Sequence, residues 1–330
     1  MSKSTFIGGW RGWLAGAALG AALAAPGTAA AAAKPYMEQA PNRGFHLLIH
    51  PKAKTPEAQW QHVQALDAAG RARAAAKQAL ALRIYWANAP EAPQAQMFYA
   101  RHLERRGKSQ AAFDAYQHLV DHYTGRFEFN DVLDRQMQIA KAYMERKKGK
   151  ILFLPGFAAP ERAIPMFEKI VASAPEGKHT AEAYFLIGAA HELNYEYEEA
   201  IDAYFTALNR FPQSEFAAKA AYAQAKCHVK ISDDSPNDAR ALDTAAAACT
   251  LFLQRYPDSG QRAEIEADRT RLRGQQAAAA FARARYYDRI LRKRDSAIIE
   301  YRTFIALFPK APQVPEARRR IAELITPQEK

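Results

Sequence analysis

Residues 180–213 read TAEAYFLIGAAHELNYEYEEAIDAYFTALNRFPQ, and this stretch decides the fold. Its first half, Ala183 to His191, is an apolar run with Gly188 inside it, and a turn follows at Asn194-Tyr195. Its second half sets Ala200, Tyr204 and Ala207 at intervals of four and three and then stops at Pro212. Such intervals put one apolar stripe on a helix, and a proline cannot continue it. The stretch therefore predicts two antiparallel helices, with Gly188 as the small residue that lets them approach closely.

The second-helix pattern recurs. Ala174-Pro175, Tyr256-Pro257 and Phe308-Pro309 match Phe211-Pro212. Twelve residues before each proline stands Ala163, Ala200, Ala245 or Ala297, and eight before stands Phe167, Tyr204, Cys249 or Tyr301. Five before stands Ile170, Ala207, Phe252 or Phe304. Upstream, Tyr99-Ala100-Arg101-His102-Leu103 and Ile139-Ala140-Lys141-Ala142-Tyr143 repeat the first-helix layout. Self-similarity of this kind marks a solenoid, in which each hairpin buries its apolar face on its neighbours.

Spacing between the prolines is 37, 45 and 52 residues, and the excess has definite places. The fifth unit holds a polar insert, Ser232 to Asn237. The sixth opens with a long arm, Arg262 to Arg292, expected to bend at Gly274. The third holds an apolar insert whose Leu152, Phe153, Leu154 and Phe157 form a candidate contact loop. Residues 93–124 form a second unit turning at Gly107, residues 56–90 a weaker first one, and residues 313–326 a closing helix.

These units resemble tetratricopeptide repeats, with Tyr184, Ile187, Gly188, Tyr197, Ala200, Tyr204, Ala207 and Pro212 on consensus positions. The expected fold is all-α, a right-handed superhelical solenoid of five or six hairpins over residues 56–326. Hairpin ends reading Tyr-Pro-Asp-Ser and Phe-Pro-Gln-Ser, with the arm Arg269 to Arg273, Ala282 to Tyr287 and Ala297 to Tyr301, resemble more narrowly the BamD-like family of outer-membrane barrel-assembly lipoproteins. That resemblance covers about residues 90–326. It implies a non-enzymatic envelope scaffold whose N-terminal repeats receive unfolded barrel substrates and whose C-terminal repeats dock a barrel-forming partner. The sequence departs from that family in having no lipidated cysteine after its leader and in carrying the apolar insert. The alternative is a soluble periplasmic adaptor for Tol, cell-division or cell-wall machinery.

Residues 1–33 hold Lys3 and Arg11 without an acid, an apolar run from Leu14 to Ala25, and small residues to Ala33. This is the order of parts in a secretory leader, and the run is too short to span a bilayer. Residues 34–55 are expected to be an extended arm and 327–330 a tail, with the protein in the periplasm or on the periplasmic face of the outer membrane. Charge then changes meaning. The chain carries 46 basic and 35 acidic residues, a formal +11, which on its own invites nucleic acid. Export excludes that partner, and the expected partners become proteins or peptides, with an anionic membrane surface as a further candidate.

Counting consensus positions along the first helices places Met97, Met137, Phe185 and Tyr222 in one row and Arg101, Lys141 and Lys226 in a row beside it. An apolar row next to a basic row predicts a groove for peptide segments or their carboxylates. A second candidate is the basic C-terminal end, Arg269, Arg271, Arg273, Arg283, Arg285, Arg289, Arg292 and Lys293. Residues 260–330 hold 16 basic and 9 acidic side chains.

No catalytic residues, metal ligands, cofactor or small-molecule substrate are expected. Gly107-Lys108-Ser109 mimics the end of a phosphate-binding loop, but His102 stands where its first glycine belongs. His118 and His122 lie one helical turn apart without an evident third ligand. Cys227 and Cys249 are read as buried free thiols.

Overall fold

Pro175, Pro212, Pro257 and Pro309 each stand two residues beyond the end of a helix, as the spacing requires. A computed structural model describes residues 49–326, apart from 146, 149–156 and 237. Six helical hairpins follow one another among these residues. They are α1 (Pro56–Ala68) with α2 (Ala72–Tyr85), α3 (Ala92–Arg105) with α4 (Ser109–His122), and α5 (Phe129–Glu145) with α6 (Ile164–Ser173). Then come α7 (Thr180–Leu193) with α8 (Tyr197–Arg210), α9 (Glu215–Asp234) with α10 (Ala239–Arg255), and α11 (Arg262–Arg285) with α12 (Arg294–Leu307). A closing helix, α13 (Val314–Ile325), covers the last hairpin.

Each helix packs on the next in sequence, and α7, α9 and α11 also touch in order. This is the tetratricopeptide solenoid expected from residues 180–213. The aromatic and small residues of the second-helix pattern form its interior, with Phe167, Tyr204, Tyr301, Ala163, Ala200 and Ala297 all buried. Cys227 and Cys249 are free and buried, and burial raises both thiols, to about 12 and about 11. They stay protonated at neutral pH and are poor nucleophiles.

Buried glutamines tie the first three hairpins. Gln59 Nε2 donates to Gln78 Oε1 (2.8 Å) and Gln96 Nε2 to the Ala115 carbonyl (2.7 Å), each within one hairpin. Gln136 Nε2 donates to Gln117 Oε1 (2.8 Å), from the third hairpin to the second. In each case the buried amide N–H finds an acceptor nineteen residues away.

Two features differ from the sequence reading. In the third hairpin a two-residue antiparallel ribbon, Lys147–Lys148 with Phe157–Ala158, brackets the apolar insert. Phe157 pairs with Lys148, while Leu152, Phe153 and Leu154 lie outside the described residues. The long arm is unbroken at Gly274, where helix α11 runs on with open space around the glycine. It changes instead at a π-turn, Tyr286–Ile290, which carries Asp288 into the interior. The leader at 1–33, residues 34–48 of the expected arm and the tail at 327–330 lie outside the described residues.

Gly188 sets the spacing of α7 and α8. A Cβ there would stand 2.6 and 2.7 Å from ring carbons of Tyr204, which is itself buried. Gly188→Ala should lower stability by about 1–3 kcal/mol, the usual cost of overpacking a filled core. Chemical denaturation should show an earlier midpoint, and an unchanged midpoint would mean that the hairpin is loosely packed.

Candidate protein interface

The ends of the first helices carry a recurring contact. Glu104 in α3 accepts a hydrogen bond from the Tyr116 hydroxyl (2.6 Å) and pairs with Arg135 of α5 (3.2 Å). Glu192 in α7 accepts from Tyr204 (2.7 Å) and pairs with Lys230 of α9 (2.8 Å). Asp288 accepts from Tyr301 (3.2 Å) and is gripped by Arg320 of α13 through two nitrogens, at 2.7 and 3.0 Å. One carboxylate thus ties the tyrosine of its own hairpin to a cation of the next unit. Burial, reinforced by the adjacent carboxylate, pushes all three phenols up, Tyr301 to about 12. In the fifth hairpin the ion pair persists as Asp233–Arg271 (2.6 Å), but Cys249 replaces the tyrosine.

Sequence reasoning missed these carboxylates. Their signal is an acid twelve or thirteen residues before the second-helix tyrosine.

The row of cations from the sequence lies on a second ladder between first helices. Arg101 pairs with Asp131 (3.2 Å), Lys141 with Glu182, and Lys226 with both Glu264 (2.9 Å) and Asp268 (2.7 Å). Each reaches an acid of the next first helix. The row is therefore not a line of unpaired charges, because the next repeat supplies its counter-ions. The neighbouring row divides. Met137 is buried among the core residues of hairpins one to four and has no place on an open groove. Met97 is half-buried against the same core. Phe185 stacks against Tyr204 and Phe216, and Tyr222 lies edge-on to Phe252 and donates to Glu264 (2.8 Å).

The basic C-terminal end is not one surface. Arg269 contacts Glu266, Arg271 pairs with Asp233 and Asp268, and Arg283 pairs with Glu300 (2.8 Å). Arg273 reaches the Leu307 carbonyl and lies over the Phe308 ring. Arg289 is exposed, 3.6 Å from Asp288. Arg285, Arg292 and Lys293 are exposed with no side-chain partner among the described residues.

An open groove of about 1830 Å³ lies between hairpins four and six, walled by α8, α9, α10, α11 and the connection from α12 to α13. Phe205, Leu251 and Leu307 line it, each more than half exposed. Arg255, Arg269, Arg273 and Lys310 face Asp202 and Asp243 around it. Asp243 accepts from Gln276 (2.6 Å), and burial lowers the pKa of His228, so this lining histidine is neutral near pH 7. Large apolar side chains thus stand exposed around one concavity whose lining carries a basic surplus. Sequence reasoning did not assemble it, because its walls come from three successive hairpins of unequal length.

Other candidate chemistry is absorbed structurally. Gly107-Lys108-Ser109 forms the turn between α3 and α4. His118 Nε2 lies 2.7 Å from Arg83 Nη1. No cluster of three potential metal ligands occurs among the described residues.

No family model matches the chain, and no curated protein matches it. Among solved structures, the C-terminal part of a tetratricopeptide-repeat protein from Cytophaga hutchinsonii is 18% identical, covering 81% of this chain and 88% of that one with a TM-score of 0.35. The fold is a tetratricopeptide-repeat solenoid. A thermophilic repeat protein of Thermus thermophilus is also 18% identical, covering 65% and 98%, with a TM-score of 0.31. The TPR2AB domain of yeast Sti1, in complex with pHSP90, is 14% identical over 82% and 96%, with a TM-score of 0.24. Likeness at this level adds nothing on function, and the fold assignment rests on the hairpins themselves.

The ion pairs lead to two expected outcomes. Asp268 is largely buried between Lys226 at 2.7 Å and Arg271 at 3.4 Å, so Lys226→Ala removes the nearer of its two cations. That loss should cost about 1.5–3 kcal/mol in denaturant titrations. The Arg320 guanidinium, helped by the Tyr301 hydroxyl, holds the Asp288 carboxyl below its ordinary value. A depressed carboxyl stabilises the fold above its unfolded pKa of about 3.9 and ceases to do so as pH falls through the folded value. Asp288→Asn should therefore melt earlier than the parent at neutral pH, and the gap should shrink as the pH drops below about 4. A gap independent of pH would show that the charge contributes nothing.

Proposed function

We propose that this chain is an exported, non-catalytic scaffold of the cell envelope that works by holding other proteins, as the BamD-like barrel-assembly family does. The observation that carries the reading is the groove between hairpins four and six, where Phe205, Leu251 and Leu307 stand exposed within a basic rim. Its occupant is an extended polypeptide segment with apolar side chains and acidic neighbours, the chemistry of an unfolded secreted chain or of a partner's loop. The envelope assignment is supported by the leader pattern at residues 1–33 and by the resemblance of residues 180–326. The non-catalytic assignment is supported by the use of the buried titratable groups: Glu104, Glu192 and Asp288 hold hairpins together, and both thiols are kept protonated.

A pull-down from envelope extract, using the full chain and a Phe205→Asp/Leu251→Asp variant, tests this. Recovery of the barrel-forming assembly subunit by the parent and its loss by the variant supports the proposal. Recovery of Tol or cell-wall proteins instead would assign the chain to the soluble-adaptor reading. Equal recovery by parent and variant would remove the groove from the account.

A further inference from the structure

The turn of the sixth hairpin differs in kind from the regular turns of hairpins one, two and four. In those, Gly70, Gly107 and Tyr195 take the left-handed conformation, with φ of 73°, 65° and 64°. In the sixth hairpin that place falls to Arg292, with φ of 52°. The turn is also one residue wider. The Lys293 amide donates to the Tyr287 carbonyl, six residues back, whereas Arg71, Lys108 and Glu196 reach five residues back. The extra residue belongs to the π-turn. It lets Asp288 face inward to Tyr301 and Arg320 while Tyr286, Ile290 and Leu291 face outward.

The result is a protruding tip. Ile290 is 67% exposed, and Tyr286 and Leu291 are exposed beside it. Around them stand Arg285, Arg289, Arg292 and Lys293, all exposed. Of these cations only Arg289 forms an ion pair among the described residues, with a carboxylate already held by Arg320, and Arg285 and Arg289 border a cleft shared with Glu316 and Glu323. The turns of hairpins four and five carry the opposite charge, with Glu192, Glu196, Glu198 and Glu199 in one and Asp233, Asp234 and Asp238 in the other. The turns of hairpins one and two are basic, at Arg71 and at Arg105, Arg106 and Lys108, but present no large exposed apolar side chain. Among the hairpin turns whose side chains are described, cations and exposed large apolar side chains thus meet in this one.

We propose that this tip, residues 285–293, is a peripheral binding site for an anionic phospholipid surface. A convex apex of tyrosine, isoleucine and leucine ringed by cations needs no complementary pocket. It suits a bilayer interface, where apolar side chains enter the acyl boundary, a tyrosine sits at headgroup level, and arginine and lysine meet phosphates. A protein partner would need a matching cavity, and the groove between hairpins four and six serves that kind of contact instead. Contact is end-on, because the acidic turns of hairpins four and five are repelled by the same surface. No helix among the described residues is long and apolar enough to cross a membrane, so this contact lies on the bilayer.

The test is co-sedimentation of the full chain with vesicles of phosphatidylglycerol in phosphatidylcholine and with vesicles of phosphatidylcholine alone. Residues 1–33 are present in every sample, so the quantity read is the difference between parent and variants. An Arg289→Gln/Arg292→Gln/Lys293→Gln variant should lose at least about tenfold in affinity for the anionic vesicles, since each cation near such a surface counts for roughly a fivefold step. An Ile290→Ser/Leu291→Ser variant should also bind less well, and raised salt should release the parent. A second measurement guards against misfolding. In a Tyr286→Trp variant with unchanged circular dichroism, the emission added to that of Trp10, Trp13, Trp60 and Trp86 in the parent should shift to the blue and resist aqueous quencher only with anionic vesicles. Equal binding of parent and charge variant, equal binding to both vesicles, or an added emission that stays quenchable would overturn the proposal. So would a concentration-dependent dimer that the Ile290→Ser/Leu291→Ser variant abolishes while vesicle binding is unaffected, which would assign the tip to a second copy of the chain.

Discussion

A carboxylate at the end of a first helix is the constraint on which the stacking depends. In hairpins two and four the same residue acts twice. The backbone carbonyls of Glu104 and Glu192 accept the amides of the left-handed turn residues Gly107 and Tyr195, while their side chains accept Tyr116 and Tyr204. The second acceptor oxygen or lone pair then meets a cation from the following repeat. One residue therefore ends its helix, fixes the depth at which its partner helix sits, and sets the position of the next hairpin. In a solenoid each unit touches only its neighbours, so stability is close to a sum of such local terms, and a contact that spans the junction between units governs cooperativity. A buried phenol and carboxylate are costly without partners, and here each supplies the other.

The fifth hairpin lacks half of this contact. Cys249 has no hydroxyl and is much smaller than tyrosine, and Asp233 keeps only its bond to Arg271. The same hairpin walls the open groove, to which α10 contributes Leu251 and Arg255. A departure from the repeat and a large unfilled surface thus coincide. Regular hairpins supply the stacking, and the surface proposed for partners lies where the regularity fails.

The architecture was readable in the sequence because its causes are local. Gly188 under Tyr204, alanines and aromatics at fixed distances, and prolines just past helix ends are properties of one hairpin, and each reappears where it was expected. The surfaces were less readable because their causes lie between hairpins of unequal length. Arg101, Lys141 and Lys226 share a row, as counting predicts, but the acids that neutralise them are 30 to 42 residues away, in repeats whose period drifts. Met137 obeys the count and still points inward, joining a core that also holds Phe113, Tyr116 and Phe167. The third hairpin has a ten-residue second helix preceded by a 3-10 turn and a ribbon, so its packing does not follow the template used to count it.

Net charge was the coarsest of the sequence signals, and the structure resolves it into three populations. Some cations bridge first helices, as Lys226 does, and are occupied in stacking. Some rim the groove, as Arg255 and Lys310 do. Others gather at the turn of the last hairpin, where Arg292 holds a backbone conformation that glycine adopts freely and an arginine adopts only under strain. A glycine would relieve that strain but would also remove a cation from the apex. Under the proposed membrane contact, that cation is what the strained position presents to the bilayer.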